Sequence, residues 1–449
     1  MATLIEWGQR AAVSVRALTH TTEQSAHSRG VAPFLPRLFV DRFTHLGGIP
    51  DAVFRAQLAQ CRSFEDGLWA PYWSNFAAEH LERADTALSR LGAPVSRRLL
   101  GTRDDAMLSE LGTALAPAAG ILADRGTVAD PRATERFVDE HPEASDAAVA
   151  IDGLIKALVY YFVAAWPGGT PRRLAAYLRS ARLAEALLLA LAPTMGDIVD
   201  VVDIDIPGTT DRVHGILALP SGPKQVPTVL VTNGLEGTIA ETLLPLLAQR
   251  DAGLGTFVME MPGTYSYDNP MTAASEAVYS AVIDFLAADG RVDAERIGMM
   301  GFSFGAYWSA RMAASDSRVK VAVSNGPLTH RSFGALNSIG MPEVMVSTLV
   351  RTLGATGTAD LMRKISTLSL RDRYRDIDIP LLVINGAEDT LASTRDSIEL
   401  AIGAPHAQLV LYAQDDHCAM GNAEHWSALS TRFLREHLLG SPTPTELLP

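Results

Sequence analysis

The spacing of hydrophobic and polar positions divides the chain into two parts that meet near residue 195. In the first part, apolar residues recur three and four positions apart, and the clearest such stretches, 150–165 and 171–191, predict long helices. In the second part, short apolar runs alternate with helical patterns, which is typical of strands joined by crossover helices. We therefore expect a helical cap domain over residues 1–195 and an α/β catalytic domain over residues 196–440.

The second part contains enough apolar runs for a complete central sheet. Eight strands are predicted, at Ile198–Ile206, Val213–Leu219, Thr228–Thr232, Gly255–Glu260, Arg296–Gly301, Val319–Ser324, Leu381–Asn385 and Gln408–Tyr412. Helical patterns separate the later strands, so we expect those strands to be parallel with right-handed crossovers. Residues 326–376, between the sixth and seventh strands, have helical spacing with several glycines, and they predict a helical lid insertion.

The most informative motif is Gly301-Phe302-Ser303-Phe304-Gly305, a G-x-S-x-G sequence. It follows the fifth predicted strand and precedes a helical pattern, and this combination forms the nucleophile elbow of an α/β-hydrolase. The turn is tight, which requires glycine two residues before and two residues after the serine. The serine hydroxyl then stands at the start of a helix, where the dipole favours negative charge. The sequence therefore predicts an α/β-hydrolase fold with an eight-stranded, mostly parallel sheet and Ser303 as nucleophile.

A serine hydroxyl needs an imidazole to take its proton and a carboxylate to orient that imidazole. Asp389 follows the seventh predicted strand, and His417 follows the eighth. Serine, aspartate and histidine thus occur in the chain order of α/β-hydrolases. We therefore predict the catalytic triad Ser303, Asp389 and His417.

The aspartate and the histidine have competitors in the sequence. Asp389 also suits a helix-cap position, and Glu388 is the rival acid, although Asp389 fits the position after the strand end better. His406 precedes the last strand and His425 lies in the last helix, so of these histidines His417 falls in the loop after that strand.

Two backbone N–H groups are expected to bind the oxyanion that forms in the reaction. One is that of Phe304, the residue after the nucleophile, and the other comes from the loop after the third strand. That loop, 233–238, contains two glycines, and we predict Leu235 as its donor. The side chain of Glu236 either orders the loop or binds a polar group of the substrate, and the sequence leaves both roles open.

Composition excludes several other classes of protein. The chain of 449 residues has 38 Lys and Arg against 51 Asp and Glu, a net charge of −13, with no basic run for nucleic acid. Its two cysteines, Cys61 and Cys418, form neither a disulfide framework nor a metal motif, so no metal and no cofactor are expected. The start lacks a secretory pattern, and the apolar stretches near 154–166 and 183–192 are too short or too charged for a membrane span. We expect a cytoplasmic protein.

Three segments carry a more specific resemblance. Thr228–Thr238, Glu260-Met261-Pro262-Gly263-Thr264 and the Gly301–Gly305 elbow resemble the two-domain hydrolases around the fermentation-respiration switch protein family. That group includes dihydroxypseudooxynicotine hydrolase and the fungal pigment hydrolases that shorten a polyketide chain. Motifs at 69–73 and 160–167 are similar to the cap of that family, so the resemblance covers most of the chain from about residue 60.

The resemblance implies a metal-free serine hydrolase with a helical cap, often a homodimer, that acts on a small hydrophobic molecule. Several relatives cleave a carbon–carbon bond beside a ketone, and others are esterases. The chain departs from the family after Pro262-Gly263, where the loop is bulkier and more aromatic, so the substrate does not transfer. We propose Tyr265, Tyr267, Trp73 and Tyr160 as substrate-binding residues alongside Glu236, with packing in the helix core as the alternative for each aromatic.

Three functions are compatible with the sequence. The first is a serine hydrolase that cleaves an ester, or the carbon–carbon bond of a β-diketone or acyl-aromatic compound, in a hydrophobic and polyketide-like metabolite. The second is a hydrolase-fold enzyme that uses the same triad for cyclisation, elimination or acyl transfer. The third is a binding protein without activity, which the intact triad disfavours.

Overall fold

The computed structural model describes residues 4–102, 104–122, 129–242, 252–265, 267–334 and 340–440. Residues 335–339 of the predicted lid lie outside these ranges, as do the first three and the last nine residues of the chain.

A single eight-stranded sheet forms the centre of the catalytic domain. Its strands are β1 (Asp197–Asp205), β2 (Arg212–Pro220), β3 (Val226–Thr232), β4 (Gly255–Met259), β5 (Val292–Phe302), β6 (Val319–Asn325), β7 (Leu381–Gly386) and β8 (Ala407–Tyr412). Their order across the sheet is β1-β2-β4-β3-β5-β6-β7-β8, with β2 antiparallel to both of its neighbours and the remaining pairs parallel. The α/β-hydrolase fold predicted from the sequence is confirmed.

Strand β5 differs most from its predicted bounds, because it begins at Val292 rather than Arg296. Val226 pairs with Val292, and the register then shifts before Thr228 pairs with Ile297. Such an irregularity places an extra, more polar stretch between two paired segments. The apolar pattern marks only the buried part of the strand, so the sequence shows where β5 is buried rather than where it begins.

Helices precede the sheet and form the cap. They are α1 (Leu4–Thr19), α2 (Thr22–Arg29), α3 (Phe39–Gly47), α4 (Asp51–Gln60), α5 (Asp66–Arg90), α6 (Ser96–Leu99), α7 (Asp105–Leu115), α8 (Ala133–Glu140), α9 (Ser145–Ala165) and α10 (Pro171–Met195). Helix α9 is buried almost throughout and packs between α5 and α10, so it forms the core of the cap. Its many alanines and one glycine allow this close approach: a Cβ on Gly153 would lie 2.9 Å from Ala84 Cβ.

One helical segment, Pro142–Ala165, has the length and hydropathy of a membrane span. The stretch is longer than the apolar run near 154–166 predicts, because the helix already begins before that run. In the structure, 89 % of the most apolar 18 residues of this segment is buried inside the protein, as expected for the core helix of a folded domain.

The remaining helices flank the sheet or lie between β6 and β7. Those that flank it are α11 (Glu276–Ala288), α12 (Phe304–Ser315), α15 (Thr394–Gly403) and α16 (Ala423–Leu439). Between β6 and β7 lie α13 (Glu343–Thr352) and α14 (Thr358–Ser366), which form the lid.

His214 connects the cap to the edge of the sheet. Its ring lies between Glu185 of α10, 2.9 Å away, and Asp203 of β1, also 2.9 Å away. The hydrogen bond to Glu185, aided by that to Asp203, outweighs burial and raises the pKa of His214 to about 9. The imidazolium therefore persists at neutral pH and fixes α10 against the first two strands.

Candidate active site

Ser303 lies in the turn between β5 and α12. Its backbone conformation (φ 56°, ψ −120°) is one that residues other than glycine rarely adopt. Two glycines leave the space that this turn needs. A Cβ on Gly301 would lie 2.0 Å from the carbonyl oxygen of Gly305, and a Cβ on Gly305 would lie 2.3 Å from that of Thr232. The Ser303 N–H donates to Asn325 O of β6 at 2.8 Å, which anchors the turn to the sheet.

Ser303, His417 and Asp389 are joined by two hydrogen bonds. Ser303 Oγ lies 2.8 Å from His417 Nε2, and His417 Nδ1 lies 2.8 Å from Asp389 Oδ2. The imidazole and the carboxylate are almost completely buried, with 4 % and 0 % of their side-chain surface exposed. This is the arrangement in which an imidazole accepts the serine proton while a carboxylate fixes its orientation.

The Asp389 carboxylate is fixed by groups on its own loop and at the end of β7. Oδ1 accepts from the backbone N–H groups of Leu391 and Ala392 at 2.8 and 2.7 Å, and Oδ2 accepts from Asn385 Nδ2 at 2.9 Å. Burial opposes the charged form of His417, but the Asp389 carboxylate, with a further contribution from the neighbouring Cys418, outweighs it and raises the pKa of His417 well above its ordinary value. The pair is therefore arranged to stabilise an imidazolium.

The competing acid and histidines lie elsewhere. Glu388 is exposed to solvent. His406 Nε2 lies 3.1 Å from Asp378, and the ring of His425 pairs with the Tyr412 hydroxyl at 2.8 Å. The structure thus brings together the three residues that the sequence favoured.

The loop after β3 lies directly against the serine. A Cβ on Gly234 would be 2.9 Å from Ser303 Cβ, so only glycine allows this approach. Within the described part of the chain, the next N–H group, that of Leu235, makes no hydrogen bond. Phe304 is the first residue of α12, and its N–H has no partner inside the helix. Both predicted oxyanion donors are therefore available beside Ser303.

A cavity of about 140 Å³ opens above the serine. The cap contributes Leu38, just before helix α3, and Arg42 and Leu46 of that helix to its wall. The lid region contributes Leu328, Met341, Met345 and Leu349, and the region after β8 contributes Cys418, Met420, Ala423 and Trp426. Because most of these side chains are apolar, the cavity suits a largely hydrophobic molecule.

The charged side chains of the wall form one buried cluster, which we call the Arg42 cluster: Arg42, Glu236 and Glu241. Arg42 donates from Nη1 to Glu236 Oε1 at 3.0 Å and from Nε and Nη2 to the two oxygens of Glu241 at 2.6 and 2.7 Å. Glu236 Oε1 also accepts from Trp166 Nε1 at 3.3 Å, and its carbonyl oxygen accepts from Tyr265 at 2.7 Å. Glu236 thus orders the loop that carries Leu235 and also lines the cavity.

Four predicted substrate-binding aromatics do not belong to the described cavity wall. Trp73 and Tyr160 are 0 % and 1 % exposed and stack at 6.3 Å between ring centres, in the core of the cap. Tyr265 stacks on Tyr177 at 4.4 Å behind the oxyanion loop, and Tyr267 donates to the carbonyl of Glu260 at 3.1 Å. Trp73 and Tyr160 lie on helices, where aromatic side chains satisfy burial first. Tyr265 and Tyr267 lie in the loop after β4 and support the backbone carbonyls of Glu236 and Glu260, so these four serve packing and support instead.

The cap residues of the wall were missed by the sequence analysis. They lie in α3 or directly before it, ahead of the region of family resemblance, and they carry no catalytic motif. One local signal was present: Arg42 follows Phe39 by three positions and precedes Phe43, so a cation occupies the apolar face of an amphipathic helix. A charge in that position indicates a buried partner elsewhere in the chain.

The structure also brings three possible metal ligands together away from the triad. Glu23, His27 and Glu65 have ligand atoms within 4.8 Å of one another, which the sequence spacing did not indicate. The Glu23 carboxylate already accepts from Ser63 Oγ and from the backbone N–H of Phe64. The group is therefore accounted for by loop contacts.

The fold and the site geometry define an α/β-hydrolase with a helical cap. Comparison with known proteins gives the family: the model of the FrsA-like esterases ("Esterase FrsA-like") matches residues 134–402, more than half of the chain, and the protein belongs to that family.

Individual relatives match over shorter spans. Esterase FrsA of Vibrio cholerae serotype O1 is 31 % identical over 210 residues, which are 46 % of this chain and 49 % of the relative. The 2,6-dihydropseudooxynicotine hydrolase of Paenarthrobacter nicotinovorans is 25 % identical over 206 residues, 44 % of this chain and 54 % of the relative. The chain thus spans about half the length of the curated relatives it matches.

Solved structures show the same fold over a longer span. The crystal structure of the 2,6-dihydroxy-pseudo-oxynicotine hydrolase covers 89 % of this chain and 96 % of its own, with a TM-score of 0.65 and 17 % identity. AbyA5 covers 69 % of this chain and 88 % of its own, with a TM-score of 0.57 and 22 % identity. At these identities the likeness concerns the fold, and it includes the cap.

Proposed function

We propose that the protein is a serine hydrolase that attacks the carbonyl carbon of a small, mainly hydrophobic substrate. The observation that supports this most directly is the hydrogen-bonded series Ser303, His417 and Asp389 at the base of an apolar cavity. Two findings agree with hydrolytic chemistry: the membership in the FrsA-like esterases, and the name of the relative 2,6-dihydropseudooxynicotine hydrolase.

In the proposed reaction, Ser303 Oγ attacks the carbonyl carbon while His417 Nε2 takes its proton. The N–H groups of Phe304 and Leu235 bind the oxygen as it becomes negative. The tetrahedral intermediate collapses, the bond to the leaving group breaks, and His417 donates the proton to that group. Water, activated by the same imidazole, then releases the acyl group from Ser303.

The leaving group distinguishes the two forms of this reaction. An ester releases an alkoxide, whereas a β-diketone or acyl-aromatic compound releases a stabilised carbanion, and His417 can protonate either one. We propose a polyketide-like or similar secondary metabolite as substrate, because most of the side chains that line the cavity are apolar.

A fluorophosphonate probe tests the proposed nucleophile. The phosphorus reagent forms a covalent bond to an activated serine oxygen with loss of fluoride, and mass mapping then locates the adduct. We expect labelling at Ser303 and none in the Ser303→Ala variant. Labelling at another residue, or no labelling of the folded protein, would contradict the proposal.

We further propose a homodimer in the cytoplasm that binds neither nucleic acid nor membrane. The family resemblance supports the dimer, the charge of −13 opposes binding to nucleic acid, and two buried free thiols suit a reducing compartment. Light scattering after size exclusion gives the mass, and a monomer at micromolar concentration would contradict the dimer.

A further inference from the structure

The Arg42 cluster carries more negative than positive charge. One guanidinium faces two carboxylates, and the side chains of Arg42, Glu236 and Glu241 are 11 %, 9 % and 19 % exposed, so the cluster is largely buried. Both oxygens of Glu241 accept from Arg42, so that carboxylate is fully paired. A buried group of ions with a net charge of −1 is costly unless a further cation or donor reaches it.

The unpaired part of this cluster is a single oxygen atom. Glu236 Oε1 accepts from both Arg42 and Trp166, whereas Glu236 Oε2 makes no hydrogen bond within the described residues and is not sealed from the cavity that Glu236 lines. The neighbouring Asn233 also lines the cavity, and its amide nitrogen is committed to Thr238 O at 2.8 Å. Among the described residues no donor reaches its Oδ1, which is thus a second acceptor. The polar side of the wall therefore presents acceptors.

The substrate carbonyl does not satisfy these acceptors. It is itself an acceptor, and its partners are the N–H groups of the oxyanion loop. Apart from the reacting residues, the Arg42 cluster, Asn233 and Thr242, whose hydroxyl donates to Ile239 O at 2.7 Å, the wall is apolar. A second polar group of the substrate is therefore best paired beside Glu236. That group must be a donor, and a cationic donor also balances the charge of the cluster.

From this arrangement we propose that Glu236 is a specificity determinant that binds a protonated amine on the substrate, at a position remote from the reacting carbonyl. The inference rests on the proposed function, because it describes the second contact of a molecule whose carbonyl is held at Ser303. Arg42 and Trp166 act as positioning residues that turn the carboxylate towards the cavity.

Matched arylboronic acids test the inference by binding rather than by turnover. The Ser303 oxygen donates an electron pair to the trigonal boron and its proton passes to His417, which gives a tetrahedral boronate without a leaving group. The probes are 3- and 4-(aminomethyl)phenylboronic acid, each compared with the ethyl compound of the same shape. Titration calorimetry gives the dissociation constants.

We expect at least one aminomethyl isomer to bind wild-type protein about 10-fold more tightly than its ethyl counterpart, the scale of a charge-assisted hydrogen bond. In Glu236→Gln the amide oxygen keeps the contacts to Arg42 and Trp166, while a donor replaces Oε2. The ratio of the dissociation constants of the ethyl and aminomethyl compounds should then fall to about one, or the ethyl compound should bind more tightly. The matched control Glu295→Gln changes an exposed acid at the opposite end of β5 and should retain it.

The outcomes separate this inference from the proposed function. Equal binding of the amino and ethyl compounds in wild-type protein, with all binding lost in Ser303→Ala, would overturn the amine site and leave the nucleophile intact. A preference that persists in Glu236→Gln would also overturn it. If none of the boronic acids binds, the proposed serine chemistry fails, and the inference fails with it.

Discussion

The base of the pocket and its cap side are built from contacts of different range. At the base, Asp389 is held by residues two to four positions away, and the turn at Ser303 depends on glycines two positions away. On the cap side, Arg42 reaches Glu236 across 194 residues of sequence. The conformations of Ser303 and Asp389 are thus fixed by local structure, although His417 reaches Ser303 across 114 residues of sequence. The shape and charge of the substrate space depend on how the cap packs against the oxyanion loop.

The largest expected effect belongs to the base. Ser303→Ala should fold normally and lose roughly 10⁴-fold or more in kcat, because the nucleophile is removed while the oxyanion donors remain. Steady-state kinetics on the natural substrate, with the unfolding midpoint measured in parallel, check this. Turnover near the wild-type value would exclude Ser303 as nucleophile and favour non-hydrolytic use of the site.

The second prediction concerns the pH dependence of the base. His417 must be neutral to accept a proton, so kcat/KM should rise with pH through an apparent pKa above the ordinary value of about 6.5 for histidine. Below that pKa, activity should fall about tenfold per pH unit.

Asp389→Asn sharpens this prediction. Burial, which lowers the pKa of His417, would then act without the carboxylate that outweighs it. The residual activity, reduced about 10⁴-fold, should therefore show a lower apparent pKa than the wild type. An unchanged pKa in this variant would mean that the profile reports another group.

A smaller but still marked effect is expected on the cap side. Arg42→Met leaves Glu236 and Glu241 buried without their cation, which should cost about 3–5 kcal/mol in the free energy of unfolding. Urea denaturation measures this loss. The matched control is Arg55→Met in α4, an exposed arginine paired with Asp51, for which about 1 kcal/mol or less is expected. Equal losses in both variants would show that the Arg42 cluster does not join cap and catalytic domain.

The smallest effect tests the placement of an aromatic residue in the cap core. The Tyr160 hydroxyl donates to Gln57 at 2.8 Å, so Tyr160→Phe should cost roughly 0.5–1.5 kcal/mol of stability. Because Tyr160 lies outside the described cavity wall, kcat/KM should stay within about twofold of wild type, as expected when a mutation removes no transition-state contact. A clear rise in KM with unchanged stability would show that Tyr160 contacts the substrate.

The same difference in range explains what the sequence revealed. The elbow and the strands are each marked by residues close together in the chain, and Ser303, Asp389 and His417 each follow such a strand. The structure places these three side chains in contact as expected. Trp73 and Tyr160 were misplaced because an aromatic side chain on a helix looks the same whether it faces a core or a cavity. Arg42 was missed because its partners lie two hundred residues away.

Glu236 shows both what the sequence predicts and what only the long-range contacts reveal. The sequence placed it beside the predicted oxyanion donor Leu235 and left two roles open, since a loop carboxylate carries no periodicity. Only the contacts to Arg42 and Trp166 reveal that one carboxylate oxygen of Glu236 is committed to the cap and the other is available.

The ion pair between α3 and the oxyanion loop has a consequence for descent and engineering. A cap exchanged between relatives as a module would arrive with its own residue at position 42 and meet carboxylates selected for a different partner. Viable chimaeras should therefore carry positions 42, 236 and 241 together, so that the recombination unit includes a part of the catalytic domain. The boundary between cap and catalytic domain in the sequence is then not the boundary at which segments can be recombined between relatives.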